Sequence, residues 1–181
     1  MFGKKEYLEA YQQVYDKSME IGDKYREICM ENMALKHLIL SDRFDKALSF
    51  VEIDETEYIV FLQNKKDIGN CFSAEFVICN TSYGYADPVV IAEVEIQTLS
   101  IEIIFLYTDK YYRRKGLASY CIKQIAIYAA KHKKQKIYGM VHEKTEIGRE
   151  NLVEFYARNG FELYTKSDGS LWFKKYIDSR V

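Results

Sequence analysis

No two of the four cysteines in this 181-residue chain (Cys29, Cys71, Cys79 and Cys121) stand at the two-residue gap of a zinc knuckle or a redox pair, and there are only three histidines. That excludes ribbon-type zinc sites and Cys-x-x-Cys chemistry, so no metal is expected and the thiols read as reduced. Gly-x4-Gly-Lys-Ser/Thr is absent, which excludes a P-loop, and Gly-x-Gly-x-x-Gly is absent, which excludes the dinucleotide fingerprint. A net charge of −1 supplies no global field for nucleic acid or membrane. The opening MFGKKEYLEAYQQ has no continuous apolar run, so neither a secretory leader nor a membrane span is expected there. With no repeat and no low-complexity linker, the chain reads as one domain over 1–181, placed in the cytoplasm.

What is present is a chain that is 48% apolar and carries 16 tyrosines. A chain of this size hides roughly 70% of its unfolded surface. Residues 4 to 40 read as helix, because Tyr7, Leu8, Tyr11, Val14, Tyr15 and Met19 recur at three- and four-residue steps. Gly22 is expected to break or bend it, and Asp42 to cap a short helix through Phe50, which makes 1–50 a helical extension. Strands are expected at Tyr58–Gln63, Cys71–Cys79, Val89–Gln97 and Ile101–Tyr107, with Asn64-Lys65-Lys66-Asp67 as a turn and 80–88 as a loop. Leu117 to Lys131 is the next helix, Ile137–Val141 a strand, and Ile147–Asn159 a helix stopped by Gly160. Phe161–Thr165 and Ser170–Ile177 form a closing hairpin on Ser167-Asp168-Gly169. This order gives an α/β (α+β) sandwich around a mixed sheet.

The informative stretch is Ile101 to Ser119. An apolar strand ends in a basic turn, and Gly116-Leu117-Ala118 opens a helix. A helix start offers unpaired N–H groups and about half a positive charge. Arg113, Arg114 and Lys115 add cations beside it. The expected ligand is a phosphate-bearing molecule seated on this turn.

The segment LYTDKYYRRKGLAS resembles the acetyl-CoA signature of the GNAT superfamily of N-acyltransferases, Gln/Arg-x-x-Gly-x-Gly/Ala, with Arg113, Gly116 and Ala118 in register. Phe155-Tyr156 followed by Gly160-Phe161 is similar to the way that family ends its next helix. The likeness covers about residues 57 to 177. It implies a GNAT-like core with a mixed, mostly antiparallel central sheet flanked by helices. It also implies acetyl-CoA (coenzyme A) as co-substrate and an amine-bearing acceptor, a small molecule or a protein amine. Leu106, Tyr107 and Thr108 would pair with the pantetheine arm, and Arg113, Arg114, Lys115, Gly116, Leu117, Ala118 and Ser119 would hold the diphosphate. The family often has Asn seven residues before its tyrosine. Here that position is Arg149, and Asn151 is the candidate for the corresponding cofactor contact.

Acylating an amine with a pKa of about 10.4 requires a base, since near pH 7 roughly one molecule in 2,500 is neutral, a cost of about 4.6 kcal/mol. Glu102, in an apolar run eleven residues before Arg113, sits at the offset where the histone-acetylating branch of the resembled family places its glutamate base. Glu93, Glu95 and Glu143 remain alternatives. Tyr156, four residues before Gly160, is the candidate acid for the leaving thiolate, by the same resemblance. In an enzyme Glu102 and Tyr156 are expected to line one cleft. Cys121 lies on a helix stripe away from any histidine, so transfer is expected to be direct. The competing reading is a catalytically silent acyl-CoA-binding or assembly module of the same fold. Nucleic acid is disfavoured because no aromatic-basic interleaving accompanies the lysine and arginine turns. Three roles stay open for the N-terminal helices: capping the acceptor cleft, pairing subunits as a homodimer, or packing on the sheet. The run from Lys131 to Lys136 reads as a charged helix end, or as a contact for the 3′-phosphate of coenzyme A.

Overall fold

The computed structural model describes residues 4–40, 46–68, 71–80, 87–142 and 146–177. One helix, α1 (Lys4–Leu40), precedes everything else. It runs unbroken through Gly22, which has open space around it. An eight-stranded sheet follows: β1 (Lys46–Ile53), β2 (Thr56–Ile68), β3 (Cys71–Asn80), β4 (Asp87–Ile96), β5 (Ser100–Thr108), β6 (Lys136–Met140), β7 (Glu162–Thr165) and β8 (Leu171–Tyr176). Its spatial order is β1-β2-β3-β4-β5-β6-β8-β7. Among the described strands only β5 and β6 pair in parallel; every other neighbouring pair is antiparallel. The parallel crossover is made by α2 (Leu117–Lys131), and α3 (Arg149–Arg158) links β6 to the closing hairpin.

Two expectations are corrected. The short helix drawn through Phe50 is the strand β1, which pairs with β2 through a turn at Asp54 and Glu55, both at positive φ. Asp42, its supposed cap, lies outside the described residues. The turn drawn at Asn64-Lys65-Lys66-Asp67 is strand, since β2 continues to Ile68 with a register shift between Asn64 and Lys66. The loop at 80–88 is described only at its ends, where Asn80 closes β3 and Asp87 opens β4.

Alternation divides the sheet into two faces. Val94, Ile96, Ile101, Ile103, Ile137 and Phe173 bury one face against Leu117, Cys121, Ile122 and Ile125 of α2. Tyr156 of α3 covers the Phe173 end of this same face, with ring centroids 3.7 Å apart. A smaller cluster, Ile59, Phe61, Val77 and Cys79, is buried on the second face. The second face then turns polar along the row Ser73, Glu95, Glu102, Tyr138, Lys174 and Glu162, which are cross-strand partners.

Gly139 sits where the core is tightest. A Cβ there would meet the Ile103 carbonyl oxygen and the Phe173 ring, each at 2.5 Å. One of those neighbours is backbone, so it cannot swing aside. Gly139→Ala is therefore expected to destabilise the fold by about 1–3 kcal/mol, the range for overpacking. Urea denaturation measures it, and an unchanged midpoint would contradict this account of the β5–β6 junction.

Candidate functional site

Strand β5 is half buried and half open. Ser100, Ile101 and Ile103 are buried, but Ile104, Phe105 and Tyr107 are exposed. The register explains the change. Val94 pairs with Ile103 and Glu93 with Phe105, which leaves Ile104 as an extra residue, a β-bulge. The parallel pairing with β6 ends at the same level, with Ile103 opposite Gly139. Beyond it, Leu106, Tyr107 and Thr108 pair with Ala92, Ile91 and Val90 of β4 and with no described strand on the other side. His142, just after β6, brings Nε2 to 3.4 Å from the Ile104 carbonyl oxygen at the mouth of this gap.

The chain leaves β5 through a pinned turn. Asp109 accepts a hydrogen bond from the Tyr111 N–H at 2.9 Å and opens a 3-10 turn, Lys110–Tyr112. The Asp109 N–H donates to the Val89 carbonyl at 2.9 Å, and Asn80 Nδ2 donates to the Tyr112 hydroxyl at 3.0 Å. Arg113 Nε donates to the Thr108 carbonyl at 3.1 Å, and its other end meets the exposed Glu146 at 3.2 Å. Arg113 thus closes the turn on itself.

Arg114 (φ 64°) and Gly116 (φ 82°) are left-handed, while Lys115 between them is not. Alternating hands of this kind form anion-binding nests. The N–H groups of Lys115, Gly116, Leu117, Ala118 and Ser119 have no backbone acceptor among the described residues. Arg114, Lys115 and Gly116 are exposed, and a Cβ on Gly116 would meet nothing within 4 Å. The helix start therefore faces open space with its donors unspent, where an anion is stabilised by N–H bonds and the helix dipole together.

Glu102 lies on the second face rather than in an apolar setting. Its neighbours across the ladders are Glu95 and Tyr138. The Tyr138 hydroxyl donates to Glu102 Oε2 at 3.0 Å and accepts from Gln97 Nε2 at 3.0 Å, while Ser100 Oγ donates to Gln97 Oε1 at 2.9 Å. Burial first, then its bond to Glu102, pushes the Tyr138 hydroxyl above the ordinary tyrosine range, so the proton stays on the phenol. Sequence reasoning missed Tyr138 and Gln97. Their signal was the sheet pairing, which brings β6 beside Glu102 and is invisible in local pattern.

Tyr156 is on the opposite face. It is 6% exposed, stacked on Phe173 and edge-on to Phe161 and Phe155. Burial drives its hydroxyl well above the usual tyrosine value. Glu102 and Tyr156 consequently do not share one wall. They face opposite sides of the sheet, in the neighbourhood where β5 and β6 part. Asn151 is turned to its own helix start, donating to the Ile147 carbonyl at 2.7 Å. It is Asn159, at the other end of α3, that reaches the turn, donating to Ser119 Oγ at 3.2 Å. Two of the four lysines in the run from Lys131 to Lys136 make intramolecular contacts: Lys134 Nζ donates to the Gln97 carbonyl at 2.7 Å and Lys136 lies over the Tyr138 ring. It stands about 20 Å along α2 from Gly116.

Among the described residues, no group of three or more His, Cys, Asp and Glu could hold a metal ion, and no helix is long and apolar enough to cross a membrane. The Cys121 thiol is fully enclosed, and burial pushes it up to about 12. Native protein treated with iodoacetamide at pH 8 is expected to keep Cys121 unmodified on the hour scale. Rapid labelling at that position by mass spectrometry would show that the α2 core opens.

The profile of the acetyltransferase (GNAT) family matches residues 41–161. No curated protein matches the chain. Solved structures do. The PaiA N-acetyltransferase of Thermoplasma acidophilum in complex with coenzyme A is 16% identical at a TM-score of 0.48, over 57% of this chain and 60% of its own. Nourseothricin acetyltransferase is 15% identical at 0.48, over 59% and 66%. An acetyltransferase from Bacillus cereus is 18% identical at 0.47, over 59% and 74%. The chain thus spans less than two thirds of the length of the first two.

Proposed function

The chain belongs to the GNAT acetyltransferase family, and on that premise we propose that it is an N-acyltransferase, moving an acetyl group from acetyl-CoA to a primary amine by direct attack. The observation that carries this reading is the junction of β5 with α2. An open strand edge leads, through the pinned turn at 109–116, to a helix start whose donors are unspent. A diphosphate belongs on the N–H groups of Lys115 to Ser119, with Arg114 and Lys115 as its cations. The pantetheine arm, an extended chain with amide groups, suits the unpaired edge of Leu106, Tyr107 and Thr108.

Glu102 and Tyr156 do not line one wall as an enzyme was expected to have them, so the reading requires the thioester to lie in the gap where β5 and β6 part, where each can reach it from its own face. The amine nitrogen attacks the thioester carbonyl, forming the C–N bond, and the C–S bond then breaks. The amine's proton passes to Glu102, directly or through water, on the second face. That face also carries Glu93 and Glu95, which favour approach of an ammonium. Tyr156 acts from the other face. With its pKa raised, it stays a neutral donor at every working pH and hydrogen-bonds to the departing sulfur. A thiolate whose thiol has a pKa of about 8.5 then takes its proton from solvent. Tyr138, tied to Gln97, holds the Glu102 carboxylate in one orientation.

Release of coenzyme A across a panel of amines tests the whole reading. Glu102→Gln is expected to lower kcat by about 100-fold with acyl-CoA affinity intact. Tyr156→Phe keeps the ring stack and is expected to lower kcat about tenfold or more. Full activity in either variant would remove that residue from the mechanism. Gly116→Val forces a β-branched residue into the left-handed region and fills the space before the helix start. Calorimetry should then show acyl-CoA binding at least about tenfold weaker. Unchanged affinity in a folded Gly116→Val protein would move the diphosphate elsewhere.

A further inference from the structure

Helix α1 is the part of the molecule that the transferase reading leaves unused. At 37 residues it is about 55 Å long. None of its described residues belongs to either buried cluster. Leu8, Tyr11, Val14, Tyr15, Met19, Tyr25, Met30 and Met33 are each between 46% and 69% exposed. At 100° per residue these side chains fall on one broad side, with Gly22 and Cys29 among them. The opposite side holds Glu9, Asp16, Lys17, Glu20, Asp23, Lys24 and Glu27, and Lys24 and Glu20 pair along the helix at 3.2 Å. Between Leu8 and Met33 the one charge on the apolar side is Arg26, which is turned onto Asp23 at 2.8 Å; Lys4 and Lys36 fall on that side nearer the helix ends. In proteins most helical stability comes from packing an amphipathic side rather than from propensity.

We propose that α1 pairs antiparallel with α1 of a second copy, crossing at Gly22. From Tyr11 to Met33 the pattern is self-complementary about that residue, which is also the midpoint of Lys4–Leu40, while Leu8 falls opposite Lys36. A two-fold axis at Gly22 places Tyr11 opposite Met33, Tyr15 opposite Cys29, Met19 opposite Tyr25, and Val14 opposite Met30. Every tyrosine of the set meets a sulfur-bearing side chain, a favourable and shape-tolerant contact. Gly22 meets Gly22, which lets the two backbones approach. Parallel pairing would instead stack each tyrosine on its own copy at all three levels. Burying on the order of 100 Å² from each of these side chains gives roughly 800 Å² per copy, the area a standard stable interface needs. A lipid surface fits less well. Acidic residues outnumber basic ones between 8 and 33, whereas surface-bound helices carry a basic polar face.

The full chain is tested by sedimentation equilibrium between about 5 and 100 μM. A dimer is expected, and Tyr11→Glu with Tyr15→Glu should return it to monomer while thermal melting of the sheet is unchanged. Wild type that stays monomeric throughout, or a dimer that survives both charges, overturns the proposal. Tyr15→Cys gives a second readout. On oxidation it should form an intermolecular bridge from position 15 of one copy to Cys29 of the other, located by peptide mass mapping. Within one helix those positions are about 21 Å apart, so the bridge cannot be internal. A Cys29–Cys29 bridge in wild type would instead show parallel pairing and reject the geometry. Activity plays no part in either readout, so the acyltransfer assignment stands or falls separately.

Discussion

Two strands that run side by side as far as Ile103 and Gly139 and then separate are the constraint on which the site rests. Both strands carry an unusual residue at that level. On β5 the extra residue Ile104 breaks the ladder and turns the strand. On β6 the chain has no Cβ at Gly139, so the Phe173 ring and the Ile103 carbonyl occupy that volume. The core is sealed up to this level and open above it. On the proposed reading, ending a pairing early is what makes room for an extended ligand.

The same division separates charges. The helix start at Gly116 and the cations Arg114 and Lys115 gather at the end of β5 where α2 begins. The carboxylates Glu93, Glu95 and Glu102 line the far face of β4 and β5. In the proposed reaction a diphosphate and an ammonium would take separate places along one strand, with the sheet itself as the partition. Tyr138 belongs to this arrangement because its hydroxyl stays protonated and so can only donate to Glu102.

Elements that obey one local period were legible in the sequence. The alternation from Val89 to Gln97 gave β4 and its faces, and Gly160, at φ 77°, ends α3 as its position implies. The signature turn was legible because here its glycine and cations happen to lie adjacent in the chain, between an apolar strand and a helix. Misreadings trace to places where the period is broken. In β1 a register shift between Ala47 and Ser49 turns Leu48 and Val51 both inward, a three-residue step that imitates a helix. In β2 a shift after Asn64 carries polar residues that read as a turn. Ile104, Phe105 and Tyr107 read as a buried central strand, yet they are exposed because β6 has departed. Which face Glu102 meets, and that Asn159 rather than Asn151 reaches Ser119, depend on partners far away in the chain.

Helix α2 is anchored at both ends. At its start the Tyr120 N–H bonds to the Gly116 carbonyl and Ser119 is held by Asn159. At its finish the Lys134 ammonium grips the carbonyls of Gln97 and Thr98 in the bend between β4 and β5. Adding or deleting one residue between these anchors would rotate one end against the other by about 100° and shift it about 1.5 Å. The spacer tolerates exchange of its outward-facing letters but not a change in their number, so its length acts as a ruler for the turn it presents.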